Sequence, residues 1–453
     1  MDNIILINCD DLGYGDLGCY GSTVNQTPAL DRMARDGMRC TDFYAASPVC
    51  SPSRGAMMTG CYPPRIGFTT FGPERAGVLR PGHGDGLDPG EISLARLMKS
   101  VGYRTALIGK WHCGDQEAFL PMQHGFDVYY GLPFSNDMGR QRGDDVNRPP
   151  LPLMEGNEVI EGQPDQASLT SRYVERCVKF IRENRSRPFF LYFAQMHTHL
   201  PLYAPGAFHK GSENGDYGAC VREIDWSVER IVYELKRLEL EEKTLVIFTS
   251  DNGSRGDHGA SNAPLRGNKA GTYEGGLRVP CIFYKPGTIP ASTTYRGIMS
   301  NLDFYASLAA LTGAEFPRDR VIDSMDMSAL FRGAVETEYP RETFFYYWRD
   351  ELEAVRWYDW KLHVSKCGTP AAELYNLNRD IGETQNVYHD HPDIVARLER
   401  LLEVQRQDTG DGRLGIIGAG VRAIGKVERP RKLTSYDPDH PYMVALYDKE
   451  DRG

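Results

Sequence analysis

Through the first three quarters of this chain, helical patterns run straight into short apolar strands, and that rhythm constrains the fold more than any other feature. ISLARLMKSVG leads into YRTALIG, SRYVERCVKFIREN into PFFLYFAQ, and WSVERIVYELKRLEL into TLVIFTSD. Repeated helix-then-strand units argue for a largely parallel α/β sheet covered by helices on both faces. Ile4 to Asn8 reads as the first strand, Thr27-Pro28 opens a capped helix, and VPCIFYKPG adds a further strand. After about residue 335 the rhythm changes. TFFYYW, EAVRW, WKLHV and AELYNL are short strands close together, followed by one helix, DIVARLERLLEVQRQ. This predicts an α/β domain over 1–335 and, over 336–453, a smaller unit with an antiparallel four-stranded sheet, a packed helix and an extended tail.

Open α/β sheets form their sites beyond the carboxyl ends of the strands. Asp10 and Asp11 stand at one such end, and Asp251 and Asn252, in TLVIFTSDNG, stand at another. Parallel strands bring these ends to one edge, so three carboxylates and an amide oxygen are placed to converge. Neighbouring acids repel unless a cation lies between them, and an all-oxygen set suits Ca2+ or Mg2+ rather than zinc. Taken singly, DD and DNG are turn chemistry; together they point to a metal. GYRTALIGKWHCG puts Lys110 and His112 after another strand, at alternate positions that share a face when extended. The lysine suits an oxyanion and the histidine suits proton movement near neutral pH. FAQMHTHLP adds His197 and His199, again on one face if extended, with the plain alternative that one of them is structural. Lys269 in NKAGTYEGGLR adds a second lysine, and Ser135 in GLPFSND adds a hydroxyl. The set describes a charge-stabilising pocket for a tetrahedral oxyanion ester, sulfate and phosphate alike.

Composition sets bounds on partners. A formal charge of -10 leaves no basic footprint for nucleic acid, and 41% apolar with 25% charged residues is ordinary for a soluble chain of 453 residues. No apolar run approaches a membrane span. MDNIILINCDD has no basic leader region, which predicts a cytoplasmic protein if this is the native start, and a periplasmic or secreted one if a leader was removed. The 10 cysteines form no CxxC pair and read mostly as reduced, buried side chains. GYGDLG matches G-x-G-x-x-G, but no helix opens before Thr27-Pro28, which argues against a dinucleotide site. GIIGAGVR in the tail follows no strand and reads as a flexible cover.

Cys50 lies in SPVCSPSRGAMMTG, where small-residue packing, a thiol nucleophile and a modified residue compete as readings. The stretch PVCSPSRGAMMTG matches the sulfatase signature, C-x-P-S-R followed by apolar pairs and T-G, and GYRTALIGKWH matches that family's second signature. From residue 4 to about 380 the chain resembles formylglycine-dependent sulfatases of the arylsulfatase A and N-acetylgalactosamine-6-sulfatase type, in the alkaline phosphatase superfamily. The resemblance implies an alkaline-phosphatase-like fold and a sulfuric ester hydrolase. It implies that a maturing enzyme oxidises Cys50 to formylglycine, whose hydrated gem-diol is the nucleophile. It implies Ca2+ on Asp10, Asp11, Asp251 and Asn252, with Cys50 completing the set, and a diol held by Arg54 and Lys110. His112 then matches the base that takes a diol proton, Ser135 and Lys269 match sulfate contacts, and His199, with Lys269, matches the donor to the leaving alcohol. A sulfated galactose or N-acetylgalactosamine is the implied substrate. After Ser135 this chain has Asn136 and Asp137 where some relatives place a histidine and an aspartate, in a loop that bears on substrate choice. Arg140 and Arg142, just downstream, read as solvated loop surface, with an anionic substituent as the alternative. A phosphonate monoester or phosphodiester hydrolase, or a non-catalytic sulfoglycan-binding protein with unconverted Cys50, are the rival readings.

Overall fold

A computed structural model describes residues 1–144, 148–334, 340–443, 447–449 and 451–453. The first strand, Asn3–Cys9, is the keystone. It pairs in parallel with Thr244–Ser250 on one side, from Asn3 opposite Thr244 to Cys9 opposite Ser250, and with Phe189–Ala194 on the other. All of its residues are buried: Ile5, Ile7 and Cys9 face one core, while Ile4 and Leu6 face a second. Period-two alternation with both faces apolar is what a central strand between two helical layers requires.

The large sheet has ten strands in the order Thr293–Tyr295, Met38–Cys40, Cys281–Tyr284, Thr244–Ser250, Asn3–Cys9, Phe189–Ala194, Arg104–Gly109, Val128–Gly131, Pro152–Glu155, Glu158–Gly162. From Thr244–Ser250 to Val128–Gly131 every pairing is parallel. Cys281–Tyr284 joins one side antiparallel and the Pro152–Gly162 hairpin the other, so the sheet is mixed but mostly parallel, as expected. One layer contains Pro28–Arg35, Gln166–Glu183 and Gly215–Arg237; Cys50–Thr59, Leu94–Ser100 and Asp303–Thr312 cover the other face. The helix read from Trp226 begins at Gly215, because Tyr217, Cys220, Val221 and Ile224 continue its buried stripe at helical spacing.

The predicted boundary at 335/336 lies outside the described residues. Beyond it, Thr343–Trp348, Glu351–Trp357, Trp360–Lys366 and Thr369–Asn376 form the antiparallel four-stranded sheet, with the helix Pro392–Thr409 packed on it. The tail then returns across the large domain. Gly425–Lys426 pairs with Asp85–Gly86, and buried Tyr447 donates to the Pro164 carbonyl at 2.6 Å. GIIGAGVR is not a flexible cover. Buried Arg65, paired with Asp323 and Asp408, donates to the Gly420 carbonyl at 3.3 Å, while Arg422 donates to Glu91 at 2.6 Å. A buried guanidinium needs several acceptors, and this segment supplies one. GYGDLG contains one single-turn 3-10 helix, Tyr14–Asp16, and its last residue opens a second, Gly18–Tyr20, with Asp16 accepting the Gly13 N–H at 2.8 Å. No helix among the described residues is long and apolar enough to cross a membrane.

Candidate active site

The site stands where the first strand and Thr244–Ser250 end side by side. Register sets Cys9 opposite Ser250, so Asp10 and Asp11 leave the sheet next to Asp251 and Asn252. Asp11 adopts a left-handed backbone, φ 61°, with its N–H donating to Asp251 Oδ1 at 3.2 Å. Asn252 Nδ2 donates to Asp11 Oδ1 at 2.7 Å, and Asn252 Oδ1 is buried without a hydrogen-bond partner. One donor atom from each of Asp10, Asp11, Cys50 and Asp251 falls within 4.8 Å of the others.

Cys50 is the first residue of the helix Cys50–Thr59, so the positive helix end faces this cluster. Its thiol donates to Asp10 Oδ1 at 3.3 Å; burial, with Asp10 beside it, pushes the thiol pKa well up. Arg54, one turn on, shares the helix face with Cys50. It is fully buried, donates from Nε to Asp251 Oδ2 at 2.8 Å, and reaches the Lys110 carbonyl at 3.1 Å. Lys110 Nζ donates to Asp10 Oδ2 at 2.5 Å and to Ser135 Oγ at 2.6 Å. Lys269 Nζ donates to Asp11 Oδ2 at 2.9 Å and to His199 Nε2 at 3.2 Å.

The two pocket histidines have defined tautomers. His112 Nε2 lies 3.0 Å from the Leu79 carbonyl, which only accepts, so Nε2 carries the hydrogen and buried Nδ1 keeps its lone pair. Burial and then Lys110 hold the His112 pKa well below its ordinary value. His199 Nδ1 donates to the Leu200 carbonyl at 2.7 Å, so Nε2 is the acceptor turned to Lys269 and to Ser135 Oγ, 3.4 Å away. Its pKa is lowered too, by burial and then by Lys269.

His197 does not share this face. It is buried against Glu223 of the helix Gly215–Arg237, 3.3 Å away. The strand ends at Ala194, so alternation no longer governs positions 197 and 199. Asn136 serves the scaffold, donating to Gln166 at 2.9 Å, and Arg140 stacks on the Tyr436 ring at 3.8 Å. Neither Arg140 nor Arg142 lines the pocket, which has a volume of about 450 Å³. Asp137, of the loop expected to bear on substrate choice, lines it, as do residues that sequence reasoning did not single out: Val78 and Met138, Arg255 and Asp257, and Gly453 from the tail. Arg255 follows Asn252 closely enough for the strand-end argument to have reached it; Val78 and Gly453 carry no such signal.

Buried carboxylates, three cations and neutral imidazole acceptors around one helix start give a site for a tetrahedral oxyanion ester, set in the sheet of an alkaline-phosphatase-like hydrolase. The chain belongs to the sulfatase family. Residues 2–314 match the model described as Sulfatase, and residues 268–408 match the one described as N-sulphoglucosamine sulphohydrolase, C-terminal. The chain is 40% identical over 377 residues to N-acetylgalactosamine-6-sulfatase of Canis lupus familiaris, covering 80% of this chain and 71% of that one. It is 36% identical over 455 residues to arylsulfatase A of Homo sapiens, covering 89% and 88%. The crystal structure of Ps i-CgsB in complex with k-i-k-neocarrahexaose superimposes with a TM-score of 0.80 at 30% identity, over 92% of this chain and 94% of that one. Sulfatases are sulfuric ester hydrolases, and this chain is one.

Proposed function

We propose that the chain removes sulfate from a sulfated carbohydrate, using a formylglycine made from Cys50 by a maturing enzyme and a Ca2+ ion held by Asp10, Asp11, Asp251 and Asn252. The convergence of Cys50 with that acidic cluster, 3.3 Å from Asp10, carries the reading. The donor set fits a hard cation: the carboxylates and the amide of Asn252 offer oxygens, and Asn252 Oδ1 is otherwise an orphaned buried acceptor. Ca2+ would balance the carboxylates and lend its charge to the developing oxyanion, and the formylglycine would supply the hydroxyl that attacks sulfur.

The remaining work falls to side chains already in place. Lys110, Arg54 and Ser135 Oγ ring the position of Cys50 and bind the sulfate oxygens and the attacking group. Lys110 and Lys269 are paired with Asp10 and Asp11, and a cation balancing those carboxylates would leave both lysines to an anionic substrate. His112 takes up a proton at bare Nδ1. Lys269 and His199 Nε2 hold the proton delivered to the leaving alcohol oxygen. A sulfated sugar as substrate is supported by the relatives' names, N-acetylgalactosamine-6-sulfatase and the neocarrahexaose complex.

Converted protein with Ca2+ should release inorganic sulfate from nitrophenyl sulfate and from sulfated galactose. The Cys50 peptide should be lighter by one sulfur and two hydrogens and heavier by one oxygen. Cys50→Ala should cut turnover by about 1,000-fold or more while the melting temperature stays near wild type. A phosphonate monoester preferred by orders of magnitude in kcat/KM, or an unconverted peptide from the native host, would overturn the reading.

A further inference from the structure

Asp137 lines the catalytic pocket, yet nothing in the chemistry above uses it. It sits in the single turn Asn136–Met138, next to Ser135, and is 7% exposed. Oδ2 accepts the N–H of Gly453 at 3.2 Å, and Oδ1 has no hydrogen-bond partner. Leaving a buried carboxylate oxygen unmatched is costly, so an orphan of this kind calls for an explanation. Burial is no accident of a loose loop. Arg452 donates to the Asp137 carbonyl at 2.5 Å and pairs with Asp144 at 2.8 Å, pinning the turn from the tail. Cations at the mouth are committed elsewhere: Arg255 is paired with Asp257 at 3.0 Å and donates to the Arg452 carbonyl at 2.8 Å. Asp137 is also absent from the acidic cluster that suits a metal.

Gly453, whose N–H Asp137 accepts, lies directly against the His199 ring in the same pocket, which places the carboxylate on the side where the alcohol departs. A group meeting Oδ1 there belongs to the leaving alcohol and must be a donor. A second sulfate or a carboxylate at that point would be repelled by an unbalanced carboxylate. We propose that Asp137 Oδ1 accepts a free hydroxyl next to the sulfated carbon, so that the preferred substrate is a sugar with one sulfate and an unmodified neighbouring hydroxyl. The assignment rests on the pocket being the sulfate-ester site proposed above.

The test uses full-length, converted, Ca2+-loaded protein with galactose 4-sulfate and galactose 3-sulfate, the deoxy analogues of each that lack a neighbouring hydroxyl (3-deoxy for the first, 2-deoxy and 4-deoxy for the second), and nitrophenyl sulfate. Wild type should favour the better hydroxyl-bearing sugar over its deoxy analogue by about 10- to 100-fold in kcat/KM. Asp137→Ala should erase that preference and lower the sugar-to-nitrophenyl ratio by a similar factor. Asp137→Asn, which keeps one acceptor oxygen, should retain part of it, and a melting curve for each variant checks the fold. Equal losses on sugar and nitrophenyl substrates, or an undiminished hydroxyl preference in Asp137→Ala, would overturn the assignment. Wild type active on nitrophenyl sulfate but indifferent to the hydroxyl overturns it alone. Wild type inactive on every sulfate ester overturns the functional reading, and this assignment with it.

Discussion

Two of the clusters of buried charge among the described residues are equally deep and held in opposite ways. One sits between the large sheet and the C-terminal sheet. There Glu274 meets Lys361 at 2.9 Å, Arg278 at 3.3 Å and the hydroxyls of Tyr44 and Tyr346, while Lys361 also meets Glu383 at 2.9 Å. The other is the catalytic cluster of Asp10, Asp11 and Asp251. Burial alone would raise the pKa of any carboxylate in either place. At Glu274 it is overruled by Lys361, Arg278 and Arg356, and the carboxyl is held well below its usual range. At Asp251 burial is opposed by Arg54 but reinforced by Asp10 and Asp11, and the carboxyl is pushed up to about 7. The first cluster is finished by its own side chains and fastens two sheets together. The second crowds like charges at one point, and in the proposed reading a Ca2+ ion would complete it.

That contrast can be broken most sharply at the finished cluster. Glu274→Gln leaves buried cations short of a counter-charge and should cost about 3 to 5 kcal/mol of stability, read as a shift in the urea midpoint. At the second cluster the loss is offset in part. Without divalent cations, Asp251→Asn relieves the repulsion from Asp10 and Asp11 but leaves buried Arg54 with Asp10, 3.7 Å away, so it should cost stability, by less than Glu274→Gln. Ca2+ at a hundred times its Kd should add about 2.7 kcal/mol to wild type and almost none to Asp251→Asn, as followed by thermal unfolding.

A smaller effect sharpens the finished side. His363 lies 3.1 Å from Glu383, and burial, then Lys361, lower its pKa to about 4. Below pH ~6.5 the unfolded chain takes up a proton that the folded chain refuses until about pH 4, so stability falls across that window as pH drops. His363→Gln should flatten that part of the pH dependence by on the order of 1 to 3 kcal/mol, measured as urea midpoints from pH 7 to 4.5.

Much of this arrangement was legible in the order of residues. Asp10, Asp11, Asp251 and Asn252 were expected to meet because parallel strands bring their carboxyl ends to one edge, and the register of Cys9 with Ser250 does just that. The helix-then-strand rhythm gave the sheet, and the crowded short strands after 335 gave the second one. What escaped were features set by distant partners. His197 and His199 part company because the strand has already ended, so each is placed by what packs on it. GIIGAGVR looked loose because its anchor, Arg65, lies 355 residues from Gly420 in sequence. Asp137 was read as part of a loop that bears on substrate choice, but its burial was not legible, because the chain that pins it arrives 316 residues later.

The same separations bear on how the chain is made. Cys50 is 1% exposed in the folded protein, closed in by strands whose pairing joins the beginning of the chain to residue 250. Arg54 must wait 197 residues for Asp251. At roughly 5 to 20 residues per second of synthesis, that wait lasts on the order of 10 to 40 seconds. An enzyme making the proposed formylglycine would therefore work against a clock set by translation, with a nascent, still open segment to reach before the second half of the sheet leaves the ribosome and shuts the door.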